Sequence, residues 1–583
     1  MQAPPAKTNR LALAAALLLL PGIWLRFHAL DWMEFSGDEL TVMYDSYRAA
    51  HERLALHGIP ASIGIPLPNF LLYLLALPVT LTREPTQIVL FVAFWNLFGL
   101  ACLLRLLWRA MPPAAALATT ALLASAPGPL MLSRKVWNPD FVFTGVVLLL
   151  LLFALQLERP RRWVTIALFP VAALLCSFHA SSWPLLPCLV VWAIATRVPL
   201  DRRGLLIGAL SLLLLFLPYI WYFFQSEFDD LRTFAHRQAG NGVQSEAWLA
   251  AFARHARAAI EASCSGVLDG LPAGKSWAAS ALVARAFTFW TGFATLAACL
   301  CAPWFAWRAW KKRDLPLLER LLLLGALFEL LLLASYAQTR VASLPHYYAV
   351  LIPFPTLAAV WLALRVSQRF GSLPLVGASA LVVAAHTLLF ASLVAGLQRG
   401  ELLPERVYAP PFAPHAEKWR AEIARMFDEV DSGYALERQE QQRLKRLFDA
   451  SQDVLMRYDP VRDEPPAGMR GVIELHHGAD GLEVLGSNAR DMLTLPPFDN
   501  AGRGRALLRL EIWSPKDVVG CVFYGTPARP DYGPGQAVGL RTNPGVNVLY
   551  LEISERDARG SPMLRHPAQH WRLLAAEMRR VED

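Results

Sequence analysis

The chain has 583 residues, 55% of them apolar and 17% charged, with a mean hydropathy of +0.35, which excludes an ordinary water-soluble globule of this size. The net charge of +8 does not mark a nucleic-acid binder, because Lys and Arg gather in short loops beside apolar runs, where they set topology. The seven cysteines show no CxxC and no ligand-like spacing: Cys102, Cys176, Cys188, Cys299 and Cys301 sit in or at the ends of apolar runs as small hydrophobes, and Cys264 and Cys521 fall in polar segments.

In chain order, Lys7 to Arg10 followed by an apolar run has the form of a signal peptide, but Trp24, Leu25 and Arg26 offer no small-residue cleavage site, so a retained first helix is expected. Eleven runs near crossing length follow, at about residues 11–28, 86–107, 113–132, 141–157, 163–180, 182–197, 204–224, 281–307, 316–338, 346–365 and 373–397. Residues 66–82 are a twelfth candidate, short and interrupted by Pro66, Pro68 and Pro78. If that segment does not cross, Lys7/Arg10, Arg105/Arg109, Arg159/Arg161/Arg162, Arg197/Arg202/Arg203, Arg308/Lys311/Lys312/Arg313 and Arg365/Arg369 all fall on one side. The segment is therefore expected to be interfacial or re-entrant and to help wall a site. The resulting topology has a cytoplasmic N-terminus, with residues 29–85, 133–140, 225–280, 339–346 and everything after 397 outside; compact loops fit a bacterial inner membrane.

Three of these outer segments carry chemistry. Phe35-Ser-Gly-Asp-Glu-Leu sets Asp38 and Glu39 just beyond the first helix, either as acid/base groups or as first-turn acids of an amphipathic helix over 39–56 that Ser36 or Asp38 starts. Ser133-Arg-Lys-Val-Trp-Asn-Pro-Asp140 brings Arg134, Lys135 and Asp140 to a face where cations oppose the topology rule, which favours anion binding over snorkelling. Arg340 through Tyr348 joins a cation, His346 and the hydroxyls of Tyr347 and Tyr348, which also suit an interfacial belt. His179, at the outer end of its helix, reads as a supporting or a structural residue.

After residue 397 the pattern turns polar. Residues 398–465 form a helical external segment, with stripes Trp419/Ile423/Met426/Phe427/Val430 and Leu444/Leu447/Phe448/Leu455 within 415–458. Residues 466–583 read as a small β-sandwich with runs at 471–476, 481–485, 506–513, 518–524, 546–553 and 570–577. The fold class is thus an α-helical polytopic membrane protein with a C-terminal extramembrane α+β region. Trp513, Tyr524, Tyr532 and Trp571 would serve glycan binding or acceptor positioning in the sandwich; its alternative role is a packing lid or a partner-docking module.

In order, spacing and sidedness the motifs of residues 10 to about 397 resemble the GT-C class of membrane glycosyltransferases. The branch in question holds the protein O-mannosyltransferases and the aminoarabinose transferases that modify lipid A, the family 39-like enzymes. The resemblance rests on Asp38-Glu39 after the first helix, Arg134 with Asp140 after the third crossing, and His346-Tyr347 with Pro353 opening the penultimate helix. Many bacterial members carry a Lys-Pro-Pro stretch in the first outer loop; this chain has Gly64-Ile-Pro-Leu-Pro68 there, and Arg134 and Lys135 substitute for the missing Lys.

The resemblance implies a polyprenyl-phosphate sugar donor, a lipid, glycan or protein acceptor, and inverting transfer. Asp38 acts as base and Glu39 orients the acceptor or binds a metal. Arg134, Lys135, Arg340, His346 and Tyr347 hold the departing phosphate, with Asp140 and His179 in support. No cofactor is required and a divalent cation is compatible. The sequence has no Gly-rich nucleotide loop, in keeping with such a donor. Two rivals stand beside this reading: a glycan polymerase or ligase with pyrophosphate-linked donors, and a transporter. For the latter mainly Glu329 and His386 supply mid-span ionisable groups.

Overall fold

The computed structural model describes residues 6–52, 54–59, 61, 65–226, 228, 230–231, 248–264, 278–312, 315–339, 345–366, 372–400, 411–432, 435–463, 469–470, 472–478, 481–486, 492–500, 505–515, 518–526, 537–543, 545–553, 558–566 and 570–581. It divides into two compact units, one of residues 1–61, 66–219 and 244–427, the other of residues 62–65, 220–243 and 428–583.

The helices run in the order α1 (Ala6–Leu17), α2 (Leu19–Phe27), α3 (Gly37–His51), α4 (Phe70–Leu81), α5 (Pro85–Ala110), α6 (Pro113–Ser125), α7 (Pro127–Met131), α8 (Val142–Glu158), α9 (Arg162–Phe178), α10 (Leu185–Ala195), α11 (Arg202–Gln225), α12 (Trp248–Ser263), α13 (Ala278–Lys312), α14 (Leu317–Thr339), α15 (Pro353–Val366) and α16 (Leu373–Gln398). Prolines open α5, α6 and α7 at a position where the missing N–H costs nothing. All eleven expected segments are helical. Among the described residues six helices are long and apolar enough to cross a membrane: Arg10–Phe27, Pro85–Ala110, Asn138–Glu158, Arg202–Gln225, Ala279–Lys311 and Leu373–Gln398. The twelfth candidate holds only the 12 residues of α4, which at about 1.5 Å per residue span roughly 18 Å, short of a ~30 Å apolar layer. Its start reaches α3's exit, where the Tyr73 hydroxyl accepts the Ala55 N–H at 2.8 Å, and just past its end Arg83 lies over the Tyr47 ring of α3.

Helix ends sort into two groups. At one end of the first unit Arg109 bonds Glu158 (2.9 Å), Arg162 bonds Asp201 (3.2 Å), and Glu319 takes both Arg308 (3.1 Å) and Arg365. These pairs join the last turn of α5 to that of α8, the first turn of α9 to the residue before α11, and the last turns of α13 and α15 to the first turn of α14. At the other end lie the close of α2, the 133–140 loop, His179, His346 and the close of α16.

Two further helices, α17 (Ala416–Asp431) and α18 (Ala435–Ala450), follow where the helical segment was expected. In the first unit Phe427 of α17 stacks on Tyr47 at 4.0 Å, and Trp419 meets Phe35 edge-on at 5.3 Å. Helix α3 ends at His51, short of the expected 56, with Arg48 paired to Glu52 past its end.

Among the described residues the second unit carries twelve strands in two antiparallel sheets. In chain order they are β1 (Val454–Tyr458), β2 (Met469–Arg470), β3 (Val472–Gly478), β4 (Gly481–Gly486), β5 (Met492–Thr494), β6 (Phe498–Asp499), β7 (Arg505–Ser514), β8 (Val518–Gly525), β9 (Ala537–Thr542), β10 (Gly545–Ile553), β11 (Arg559–Arg565) and β12 (His570–Val581). One sheet runs β10-β7-β12-β4-β3 with β1 on β12, the other β2-β5-β11-β8-β9 with β6 on β11. Alternation on β7 sends Leu508, Leu510 and Ile512 into a core shared with Leu493, Val522, Leu540 and Leu564 of the second sheet. Helix α18 closes the other face of β7 and β10 through Leu444 and Phe448 against Leu507 and Tyr550.

Two expectations need correction here. Residues 454–458 form β1, not helix, because Met456 and Tyr458 alternate into the sandwich core. Of the aromatic residues assigned to glycan binding, Tyr524 and Trp571 are core residues, each 3% exposed. Trp513 keeps partial exposure beneath the Arg572 guanidinium (4.8 Å to the ring), and Tyr532 lies outside the described residues.

Close packing of α7 against α12 depends on Gly128: a Cβ there would meet the Ala262 carbonyl oxygen at 2.0 Å. Gly128→Ala is expected to lower the melting temperature of the purified protein by several degrees, in line with about 1–3 kcal/mol for overpacking. An unchanged melt contradicts that contact.

Candidate active site

The Asp-Glu pair is split by the start of α3. Ser36 is the N-cap: its backbone N–H and its hydroxyl both donate to Glu39 Oε2, at 2.8 and 2.5 Å, and its Oγ accepts the Asp38 N–H at 3.3 Å. Glu39 is turned inward and 3% exposed, whereas Asp38 faces solvent. The helix-start alternative is therefore real, and the two acids cannot play matching roles. Burial is the largest influence on Glu39 and raises its pKa; Lys135 and the Ser36 hydroxyl oppose that rise.

Upstream, Met33-Glu34-Phe35 runs extended, with Met33 and Phe35 buried in the core. The Met33 carbonyl accepts the Phe412 N–H at 2.8 Å and Glu34 forms a β-bridge with Pro411, so this stretch is clamped by the chain beyond α16.

The 133–140 loop is built from its caps. Asp140 Oδ2 accepts the Trp137 N–H (2.7 Å) to start a short 3-10 turn, and Asn96 of α5 donates to the Asp140 carbonyl (3.0 Å). Arg134 is committed elsewhere than expected. Its guanidinium donates to the carbonyls of Leu25, His28 (2.6 Å) and Ala29 (2.8 Å), the groups that a helix C-terminus leaves unpaired, and it lies over the Phe390 ring at 5.2 Å. Ala29 sits in the left-handed region at φ 50°, a conformation this bonding stabilises. These bonds fix the loop to the end of α2.

That anchoring sets Lys135 at the centre of the site. Its Nζ is 3.0 Å from Glu34 Oε2, both side chains are 6% exposed, and the ammonium lies over the Trp137 ring at 4.2 Å. Burial alone would lower the Lys135 pKa, but Glu34, Asp140 and Glu39 surround the ammonium and hold it above its ordinary value. Breaking a buried pair of this kind typically costs about 3–5 kcal/mol. One oxygen each of Glu34 and Asp140 is buried without a hydrogen-bond partner among the described residues.

Behind this cluster stand the aromatic groups. His346 meets Trp137 at 4.4 Å and Tyr347 at 4.3 Å between ring centroids, and His179 lies 6.0 Å from His346. His179 Nδ1 accepts the Ser181 N–H at 3.2 Å, which makes it the cap of a one-turn 3-10 helix. Tyr348, by contrast, pairs with His255 of α12 at 2.5 Å. Arg340 lies outside the described residues. The fold therefore brings Lys135, Asp140, Glu39, His346, Tyr347 and His179 together, and leaves Asp38 at the solvent edge.

Glu34 joins this cluster without belonging to any of the motifs, and it stands 101 positions from its partner in the chain. A cavity of about 40 Å³ adjoins the pair, lined by Glu34, Lys135 and Arg134 on one side and by Phe390, Leu393 and Leu397 of α16 on the other. Among the described residues no group of three or more His, Cys, Asp or Glu is placed to hold a metal ion.

No family model matches the chain, and no curated protein matches it. Among solved structures it is similar to ArnT from Cupriavidus metallidurans in the apo state, at 17% identity and a TM-score of 0.41 over 69% of this chain and 82% of that one. It is also similar to arabinosyltransferase EmbB from Mycobacterium smegmatis, at 12% identity and a TM-score of 0.32 over all of this chain and 65% of the other.

The raised Glu39 pKa has a definite sign. The native carboxyl holds its proton more tightly than the unfolded chain, whose value is near 4.5, so native stability falls as pH rises above about 4.5 and levels off past the native pKa. Glu39→Gln, which keeps an acceptor for Ser36, is expected to gain on the wild type in melting temperature as pH goes from 4 to 8. Parallel curves would contradict it.

Proposed function

We propose that the chain is a membrane glycosyltransferase that moves a sugar from a polyprenyl monophosphate to an acceptor hydroxyl, with inversion, at the membrane face opposite the arginine-rich helix ends. By the positive-inside rule that face is the outer one, in a cell inner membrane with the N-terminus cytoplasmic. The observation that carries the reading is Lys135: a buried ammonium at the end of an apolar helical bundle, beside a cavity whose far wall is α16. A lipid phosphate suits that setting, because its anion needs a desolvated cation and its chain needs an apolar wall.

In the proposed step the acceptor oxygen attacks the anomeric carbon, the bond from that carbon to the phosphate oxygen breaks, and the acceptor proton passes to the Asp38 carboxylate. Asp38 suits the base role because it alone of the three acids Glu34, Asp38 and Glu39 faces solvent, where an aqueous acceptor arrives. Lys135 takes the charge that grows on the leaving phosphate, with His346 and Tyr347 behind it. Glu39 positions α3 through Ser36, and Arg134 positions Lys135. The acceptor is a lipid, a glycan or a protein. Positive charge at the phosphate comes from a side chain, so the reaction requires no metal and transfer is expected to persist in EDTA.

The test is sugar transfer by the purified full-length protein in detergent, with a panel of polyprenyl-monophosphate sugars and membrane acceptors, comparing wild type with Asp38→Asn. The expected loss is about 10²–10⁴-fold in kcat with folding intact. Undiminished transfer by the variant removes Asp38 from the chemistry. Turnover of pyrophosphate-linked glycans alone assigns the site to a polymerase or ligase.

A further inference from the structure

We propose that the Glu34 carboxylate occupies, in the empty site, the place on Lys135 that the donor's phosphate takes, so that donor binding requires displacement of Glu34. This inference rests on the donor class given under the proposed function and adds a residue that governs access to it.

Three observations carry it. The first is geometry: Glu34 Oε2 stands 3.0 Å from Lys135 Nζ, and both residues line the same cavity. An incoming phosphate oxygen seeks the same charge-assisted contact at nearly the same distance, so the two anions compete for one ammonium. The second is space. The cavity is small, about 40 Å³, and Glu34 is part of its wall, so a phosphate ester gains room beside Lys135 when that side chain moves aside. Arg134 cannot make that room without releasing the carbonyls of Leu25, His28 and Ala29. The third is the asymmetry of Glu34's own bonding. Its backbone is clamped at Pro411, yet its carboxylate is held through Oε2 while Oε1 is buried with no hydrogen-bond partner among the described residues. A side chain tied by one oxygen on a fixed backbone can swing without disturbing the strand that carries it.

Charge balance points the same way. Glu34 Oε2 already holds the Lys135 ammonium, so an anion arriving while Glu34 stays in place meets a carboxylate at that contact in a nearly dry site, and displacement removes the repulsion. Glu34 then sets a threshold: an anion that binds Lys135 less well than a carboxylate already in place is refused, while a phosphate with an apolar chain lying on α16 has contacts that Glu34 lacks.

The experiment measures binding of undecaprenyl monophosphate to the full-length protein in detergent for wild type, Glu34→Gln, Glu34→Asp and Lys135→Met, with melting temperature as the check on folding. Glu34→Gln is expected to bind at least severalfold more tightly than wild type, Glu34→Asp in between, and Lys135→Met more weakly than any. If Glu34→Gln does not fold, Glu34→Asp carries the comparison. Unchanged or weaker binding by the folded Glu34 variants overturns the displacement and leaves Glu34 as a support for Lys135. Absence of binding by the wild type removes the donor class itself, and this inference with it, which keeps the two failures distinct.

Discussion

An ammonium withdrawn from water must be matched by negative charge at close range, and the site end of the helical unit is arranged around that requirement. Lys135 is matched by Glu34, with Glu39 and Asp140 nearby, and these acids come from three separate stretches of chain: the extended segment after α2, the first turn of α3 and the start of α8. Two of the acids also serve the local backbone: Glu39 closes the capping box of α3 and Asp140 starts the 3-10 turn before α8, while the backbone of Glu34 bridges to Pro411. One charge thus fixes the relative placement of α2, α3 and α8, and an unbalanced charge there would disturb all three.

A second set of bonds keeps that centre in register with the bundle. Arg134 covers the open carbonyls at the end of α2, and within α2 the buried Arg26 donates to the carbonyls of Gly22 and Ala124, tying α2 to the end of α6. Both guanidiniums serve as multi-point donors to backbone, a use that suits Arg better than Lys. At the opposite end of the bundle, Arg308 and Arg365 on a buried Glu319, with Arg109 on Glu158, hold helix ends against one another.

Much of this architecture was legible in the sequence because lipid exposure and strand alternation leave strong periodic signals. The eleven apolar segments are all helical, the short Pro-rich segment is the short helix α4, and the six β runs read from alternation correspond to β3, β4, β7, β8, β10 and β12. The strands that escaped notice, such as β5, β6 and β11, are short or hold Gly and Pro, and β1 hid behind a hydrophobic stripe that fits a helix equally well. At the candidate site, Lys135, Asp140 and His346 of the outer loops lie close together, while the division of roles among neighbours has no sequence signal. A sequence cannot say, however, that Arg134 will turn back onto carbonyls 105 to 109 residues earlier, that adjacent Asp38 and Glu39 will face opposite ways, or that Glu34 will reach the ammonium. Those outcomes depend on which backbone groups tertiary packing leaves unpaired.

The central claim is that Lys135 is the seat of a lipid-linked phosphate. A cryo-electron-microscopy map of the full-length protein with a polyprenyl-monophosphate sugar bound tests it most directly. The account predicts phosphate density in contact with Lys135, with the prenyl chain along Phe390, Leu393 and Leu397 of α16. Density for the phosphate elsewhere, with Lys135 still paired to Glu34, would contradict it.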